Sequence, residues 1–148
     1  MHIAIGADQG GFELKEQIVK YLVAQDYQIS DLGIHELKSI DYPDIAESVA
    51  RTVASGEAER GIVVCATGLG VSMTANKVRG IRAALCTDCY MARMAREHNN
   101  AQVLCLGGKV VGVELALEIV SIFLNTEPQG GRHARRVRKI NALDDKEE

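Results

Sequence analysis

The apolar residues of the chain follow two patterns that alternate along its length. Five runs are too short for helices, and four of them are mainly aliphatic, which is typical of buried strands in a parallel sheet. Between them, apolar residues recur every three or four positions, as Leu14, Ile18 and Leu22 do, which is the spacing of one helix face. The predicted strands are 2–6, 27–32, 62–64, 81–85 and 103–106. The first predicted helix contains Leu14, Ile18 and Leu22, and the second has an apolar face of Ile45, Ala46, Val49, Ala50 and Val53; the later helices are predicted at 71–77, 88–97, 113–124 and 132–143.

Regular alternation of strand and helix predicts the fold class. We expect an α/β three-layer sandwich, in which a five-stranded, Rossmann-like parallel sheet is covered by helices on both faces and joined by right-handed crossovers. The sequence Pro-Gln-Gly-Gly at 128–131 ends this alternation, and 132–143 is a basic helical segment with little apolar face of its own. Such a helix often crosses to a second subunit, so we expect a homodimer and leave open whether dimers pair into tetramers.

Composition narrows the classes of protein. The 148 residues are 47% hydrophobic and 25% charged, which suits one globular domain over 1–148 with a solvated charge run at 144–148. The net charge of −3 argues against an extended nucleic-acid surface. No apolar run approaches a membrane span and no leader signal precedes the first strand, so we expect a cytoplasmic protein without a membrane partner. The four cysteines are expected to be free thiols.

Candidate chemistry lies where the predicted strands end. In open parallel sheets, ligands bind outside the carboxyl ends of the strands. Asp8 follows the first strand, Cys65 and Thr67 follow the third, and Cys86, Thr87 and Asp88 follow the fourth. The stretch 61–83 places a thiol before a glycine loop and a helix start, an arrangement that favours a thiolate and an anion beside it.

Each of these residues also has an ordinary structural interpretation. Cys65 taken alone is more often a core thiol, Asp8 a turn-stabilising residue, Thr67 a helix cap and His98 a helix end. Cys86-x-x-Cys89 has redox or zinc spacing but no second ligand pair, so packing is favoured and no metal is expected. Neither glycine loop has the spacing of a dinucleotide or P-loop fingerprint, so no nucleotide cofactor is expected.

The basic segment near the carboxyl terminus contains a possible phosphate clamp. Arg132 and Arg136 are four residues apart and would project from the same side of a helix. Two guanidinium groups on one face suit a single phosphate monoester. The alternative is an ordinary solvated helix face.

Taken together, the motifs resemble those of a known family. The chain is similar to type B ribose-5-phosphate isomerases and the related galactose-6-phosphate and allose-6-phosphate isomerases over nearly its whole length. Each motif alone is weak, but seven in the same order are specific. They are Gly6-Ala7-Asp8-x-Gly10-Gly11-Phe12, Asp41-Tyr42-Pro43, Cys65-Ala66-Thr67-Gly68-Leu69-Gly70, Ala75-Asn76-Lys77, Gly80-Ile81-Arg82-Ala83, His98-Asn99 and Gly130-Gly131-Arg132-His133.

The resemblance implies aldose-ketose isomerisation of a sugar phosphate without metal or cofactor, usually by a dimer with shared active sites. By resemblance, Cys65 is the base that moves a proton between C2 and C1 through a cis-enediolate. Asp8 and His98 assist opening of the sugar ring, and Thr67 assists proton movement at oxygen. The amides of the loop from Gly68 to Gly70 hold the oxyanion, Tyr42 and Asn99 line the sugar site, and Arg132 and Arg136 bind phosphate.

Two positions depart from the family pattern and leave the substrate open. Gln9 stands where histidine is common, and Lys109 stands where several relatives have arginine. Both are expected to contact substrate. Ribose 5-phosphate is the leading substrate, with a six-carbon sugar phosphate or a free sugar as alternatives. A non-catalytic sugar-phosphate-binding module is the alternative from another class, and a thiol-redox protein using Cys86 and Cys89 ranks last.

Overall fold

Five parallel strands form one sheet in the computed structural model, which describes residues 1–146. The strands are β1 (His2–Ala7), β2 (Gln28–Asp31), β3 (Arg60–Cys65), β4 (Ala83–Leu85) and β5 (Val103–Gly107). Their order across the sheet is β2-β1-β3-β5-β4. In register, Ile5 lies opposite Ile62 and Cys65 lies opposite Gly107, so the carboxyl ends of the three central strands reach the same edge.

Four helices connect these strands and two follow the last strand, as predicted. They are α1 (Phe12–Ala24), α2 (Tyr42–Ala54), α3 (Leu69–Ala75), α4 (Cys89–Glu97), α5 (Val113–Asn125) and α6 (Arg132–Ala142), and a short 3-10 turn (Leu143–Asp145) follows α6. None of the helices in residues 1–146 has both the length and the apolar character of a membrane-spanning segment. The predicted three-layer fold class with a five-stranded parallel sheet is confirmed.

Alternate strand residues fill two aliphatic cores, one on each face of the sheet. Ile3, Ile5 and Val64 pack beneath α1, α4 and α5, whereas Val63, Cys65 and Cys105 pack beneath α2 and α3. These strand side chains are at most 5% exposed. Because the sheet is covered on both faces, its central strands β1, β3 and β5 carry the mainly aliphatic runs seen in the sequence. Cys65 therefore belongs to the core that supports α3.

Some element boundaries differ from those predicted. The fourth strand begins at Ala83 rather than residue 81, because the amide of Ile81 bonds back to Val78 in a turn and the Asn76 side chain pairs with the backbone of Ala83. The third helix begins at Leu69, two residues earlier than predicted, because Gly68 adopts a φ of +83° and starts the helix there. The last helix ends at Ala142 rather than residue 143. In the predicted charge run 144–148, residues 147 and 148 lie outside the described residues.

The carboxyl-terminal helix α6 packs on the amino-terminal edge of its own sheet. His133 and Val137 are its buried residues. Arg82, which precedes β4, donates a hydrogen bond from Nη1 to Asn141 Oδ1 at 2.7 Å. In the turn that follows the helix, Asp144 Oδ2 accepts a hydrogen bond from the Gly80 amide at 2.8 Å. The segment predicted to need a partner therefore has anchors within its own chain.

Candidate active site

Three loops meet at the carboxyl edge of the sheet, where their backbones touch. A Cβ atom added to Gly10 would lie 2.8 Å from the amide nitrogen of Ala66, and one added to Gly108 would lie 2.7 Å from the carbonyl oxygen of Gly10. A Cβ atom at Gly107 would lie 2.6 Å from the carbonyl oxygen of Thr67. The loops after β1, β3 and β5 therefore fit together only because these positions carry no side chain.

The strand order places a binding crevice between β1 and β3. The connection through α1 leads from β1 to β2 at one edge of the sheet, and the connection through α3 leads from β3 to β4 at the other edge. Helices α1 and α3 also lie on opposite faces. Ligands of open α/β sheets bind where the winding reverses in this way. Asp8 directly follows β1 and Cys65 ends β3, the two strands that flank this point.

Cys65 is the last residue of β3 and is 5% exposed. Its Sγ accepts a hydrogen bond from the Gly68 amide at 3.2 Å, which turns the sulfur toward the start of α3. Gly68 has a φ of +83°, which residues with side chains rarely adopt, and an added Cβ would lie 3.0 Å from the Leu106 carbonyl carbon and 3.1 Å from the Gly107 amide nitrogen. Glycine is therefore required at position 68 for two reasons, its backbone conformation and the lack of space for a side chain.

Some of the backbone amides at the start of α3 already donate hydrogen bonds within the protein, and others remain available to a ligand. The Gly68 amide donates to Cys65 Sγ, and the Leu69 amide donates to Thr67 Oγ1 at 3.2 Å. Within residues 1–146 the amides of Gly70 and Val71 have no hydrogen-bond acceptor. The donors that remain available in the predicted oxyanion loop are therefore the amide of Gly70, its last residue, and that of Val71 directly after it.

Tyr42 covers this group of amides. It begins α2 and is 40% exposed. Its ring lies so close to Gly70 that an added Cβ would be 2.5 Å from Tyr42 Cζ and 2.8 Å from its hydroxyl oxygen. The predicted sugar-site residue Tyr42 and the predicted loop are therefore brought together.

Asp8 has the turn contact that its ordinary interpretation predicts. Its carboxyl group is buried, and Oδ1 accepts hydrogen bonds from the amides of Gly10 at 2.9 Å and Gly11 at 3.2 Å. In the described part of the chain Oδ2 accepts none. One oxygen therefore holds the loop while the other is available to a ligand.

The two positions that depart from the family pattern line the same cavity. A cavity of about 300 Å³ lies beside the crevice and is lined by Gln9, Gly10, Glu13, Leu14, Leu37, Gly108 and Lys109. Gln9 Oε1 also accepts a hydrogen bond from the Ile40 amide at 3.0 Å, so it holds the segment before α2. The backbone amide of Lys109 donates to Ala66 at 3.0 Å, which attaches this residue to the Cys65 loop.

His98 and Asn99 lie at the opposite edge of the sheet. His98 ends α4, and Arg82 donates hydrogen bonds to the carbonyl oxygens of Asn99 and Asn100. Because Arg82 precedes β4 and residues 99–102 precede β5, this corner is at the amino ends of the strands. The six residues of β3 span roughly 20 Å at about 3.3 Å per residue. Cys65 and His98 of one chain are therefore far apart.

The predicted phosphate ligands share that distant edge. Arg132 and Arg136 are exposed on α6, on either side of the buried His133. The His133 ring stacks on that of His98 with a centroid separation of 4.0 Å and an angle of 5° between planes. The sequence reasoning assigned no role to His133, although it directly follows Arg132 in the last motif.

The other cysteines differ from Cys65 in their surroundings. Burial, with Asp88 nearby, raises the pKa of Cys86 to about 12, and burial also raises the pKa of Cys105. The pKa of Cys89 is raised too, and its Sγ lies 3.7 Å from Glu118 Oε2. All four cysteines are free thiols. Asp88, between Cys86 and Cys89, caps α4 by accepting a hydrogen bond from the Met91 amide at 2.7 Å. Packing therefore accounts for the Cys86-x-x-Cys89 spacing.

Comparison with known proteins identifies the family. A family model described as ribose/galactose isomerase matches residues 3–140. The chain belongs to the ribose/galactose isomerase family. Ribose-5-phosphate isomerase B of Escherichia coli K12 is 45% identical to this isomerase-family chain over 142 residues, which cover 96% of the chain and 95% of that protein. The family predicted from the seven motifs is confirmed.

Two further relatives extend the comparison. D-erythrulose-4-phosphate isomerase of Pectobacterium atrosepticum is 43% identical, covering 99% of this isomerase and 97% of that protein. The solved structure of Clostridium thermocellum ribose-5-phosphate isomerase B superimposes with a TM-score of 0.97 at 55% identity and covers 98% of each chain. The chain is therefore an isomerase by family and by fold, and its relatives act on sugar phosphates of different length.

Proposed function

We propose that this protein interconverts ribose 5-phosphate and ribulose 5-phosphate as a cytoplasmic homodimer, with Cys65 as the base. The proposal rests on one observation above all. A buried thiol faces a helix start whose Gly70 and Val71 amides have no acceptor within residues 1–146, in a chain of the isomerase family. A carbon acid beside a carbonyl needs a base and an oxyanion acceptor, and this crevice supplies both.

The proton transfer uses groups on the carboxyl edge. The Cys65 thiolate takes the proton from C2 of the open-chain aldose, and the electron pair of that bond moves to form the C1–C2 double bond while the carbonyl oxygen becomes an oxyanion. The Gly70 and Val71 amides stabilise the resulting cis-enediolate. Cys65 then returns the proton to C1, with Thr67 assisting transfer between the two oxygens. The chain's own residues suffice for this step, so the proposal includes neither metal nor cofactor.

Ring opening and phosphate binding use groups from two subunits. Asp8, whose Oδ2 accepts no hydrogen bond within residues 1–146, lies at the same edge of the sheet as Cys65, whereas His98, Asn99, Arg132 and Arg136 lie at the opposite edge. A second copy that presents its amino edge to the crevice would bring both sets together. Helix α6 would then be the dimer-contact segment, and its arginines would bind the phosphate of a substrate held by the other subunit.

Replacing Cys65 tests the proton-transfer role. In Cys65→Ser the base is lost while the side-chain volume is nearly kept, so turnover of ribose 5-phosphate should fall by at least about 10³-fold with an unchanged unfolding midpoint. Cys105→Ser is the matched control, because that buried thiol has no proposed role. Turnover in Cys65→Ser close to that of the unmodified protein would reject Cys65 as the base.

Solvent exchange separates the isomerase from a non-catalytic binding module. An isomerase in deuterium oxide incorporates deuterium at C2 of ribose 5-phosphate as it regenerates the aldose from the enediolate. A binding module leaves C2 protonated even at saturation. Nuclear magnetic resonance of the recovered sugar distinguishes the two.

Subunit complementation tests the shared site. Cys65→Ala and Arg136→Ala chains should each be poorly active, but a mixed dimer has one site with both residues intact. Refolding an equal mixture should therefore restore about a quarter of the original sites. If each site lay within one chain, the mixture would be no more active than its components.

The cavity beside the crevice governs the choice of sugar in this proposal. Gln9 and Lys109 both line it, and Lys109 offers one ammonium group where an arginine would offer a fork. We expect ribose 5-phosphate to have the highest kcat/KM in a panel with erythrulose 4-phosphate, allose 6-phosphate, galactose 6-phosphate and free ribose. A preference for another member would change the substrate but not the reaction class.

A further inference from the structure

His98 is supported by a second aromatic ring from another helix. The His98 and His133 rings are parallel to within 5° and 4.0 Å apart. His133 lies in the first turn of α6 and is 8% exposed. In the described part of the chain neither ring makes a hydrogen bond, so the stack is the contact that places the two imidazoles relative to each other.

The helix that carries His133 is held in place independently of the stack. Near its start, the Gln129 amide donates to the Glu97 carbonyl oxygen at 2.9 Å. Near its end, Arg82 bonds to Asn141, and the Gly80 amide bonds to Asp144 in the following turn. The position of α6 is therefore set by contacts other than the stack, and the His98 side chain, at the end of α4, lies against the His133 ring.

We propose that His133 is a positioning residue that sets the plane and direction of the His98 imidazole for opening of the sugar ring. This inference rests on the proposed function, in which His98 assists ring opening. A flat neighbour at stacking distance restricts rotation of the His98 ring without occupying its nitrogen atoms. Orientation of this kind raises the rate of a proton transfer because the donor already points at its acceptor.

The charge of His133 suits such a role. Burial lowers its pKa, and the neighbouring His98, Arg132 and Arg136 lower it further, against an opposing effect of Glu97. These effects favour the neutral imidazole of His133. It presents an uncharged face to His98, whereas two stacked imidazolium rings would repel each other.

The test compares two reactions that differ only in their need for ring opening. Ribose 5-phosphate is mainly a furanose and must open before C2 reacts. Ribulose 5-phosphate is open-chain, because its C5 oxygen carries the phosphate and cannot close on C2. Its exchange of a C1 hydrogen with deuterium oxide therefore reports proton transfer alone.

Four variants of α6 complete the experiment. His133→Ala should lower kcat for ribose 5-phosphate about tenfold, with KM and the exchange rate of ribulose 5-phosphate within about twofold of the original. His133→Phe keeps a flat ring and should restore most of the loss, and His133→Leu keeps volume without that ring and covers the case in which the alanine variant does not fold. Val137→Ala, one turn further along the buried face, loosens packing without touching His98 and should not separate the two reactions.

The outcomes distinguish this inference from the proposed function. Equal losses in both reactions for His133→Ala or His133→Leu, or the same separation in Val137→Ala, would mean that His133 only anchors α6 and would overturn the inference. Absence of both reactions in the unmodified protein would overturn the proposed function, and this inference with it. An active protein without the separation rejects the positioning role alone.

Discussion

Substituting Gly107 by alanine would test whether close backbone contact between loops positions the catalytic group. The added Cβ would lie 2.6 Å from the Thr67 carbonyl oxygen and 2.7 Å from its carbon, whereas such contacts are not closer than about 3.0 Å. Both neighbours are backbone atoms that no rotamer change can move. The Thr67 loop must therefore shift by at least about 0.4 Å, which also displaces the Gly68 amide that holds Cys65.

The expected cost of Gly107→Ala has two parts. Overpacking of this kind destabilises a protein by about 1–3 kcal/mol, so urea unfolding should show a decrease of that size in the free energy of unfolding. A shift approaching 1 Å at a reacting group can lower the rate about 10²-fold. The smaller shift of about 0.4 Å expected here should lower kcat for ribose 5-phosphate about tenfold. Gly112→Ala is the control, because an added Cβ there meets no atom within 4 Å and the residue precedes α5.

The control should change the free energy of unfolding by less than about 1 kcal/mol and leave kcat unchanged. If Gly107→Ala behaves like Gly112→Ala in both measurements, the loops are not in the tight contact described. If stability falls but kcat does not, the contact exists but does not position Cys65. Either result would refute the argument from loop packing to catalysis.

Three further predictions follow from the site. Asp8→Asn keeps an oxygen that accepts from the two loop amides, so its unfolding midpoint should stay close to that of the unmodified protein. Its turnover of ribose 5-phosphate should nevertheless fall by about 10²-fold or more. An unfolding midpoint as low as that of Asp8→Ala would contradict this prediction. Folding lowers the pKa of His133, so the unfolded chain binds a proton at this residue more readily than the folded chain. The free energy of unfolding should therefore decrease as the pH falls below about 6.5. Urea titrations of His133→Phe at pH 7 and pH 5 should show a smaller decrease than those of the unmodified protein. Iodoacetamide at pH 8 should leave Cys86 and Cys105 unmodified in the folded protein and modify them in urea, because burial raises the pKa of both thiols. Mass spectrometry of their peptides measures the labelling, and modification of either cysteine in the folded protein would disprove the prediction.

The local order of the elements could be predicted from the chain because each element has its own repeat of apolar residues. Leu14, Ile18 and Leu22 indicate a helix face wherever that helix packs, and β3 reads as a buried strand without knowledge of its neighbours. The boundaries that differed lie at turns. There, side-chain to backbone contacts such as that of Asn76 with Ala83 compete with the regular pattern.

The candidate site could be predicted only in part for a similar reason. The motifs name Asp8, Cys65 and His98, but not their separation. That separation depends on which strand neighbours which, and on the direction in which α4 runs back to the amino edge. Nor could the sequence indicate that the Gly68 amide is occupied by Cys65, since this depends on the φ of one glycine and on its close approach to the backbone of Gly107.

Sequence alone thus determined the alternation of strands and helices, the position of Cys65 at a strand end, and the family resemblance. Only the tertiary structure decided the strand order β2-β1-β3-β5-β4, which puts Asp8 and Cys65 on either side of one crevice. It also put His98 and His133 together at the opposite edge. The physical reason is that periodicity records which face of an element is buried, whereas the meeting of distant loops depends on long-range pairing and on close contacts between backbones.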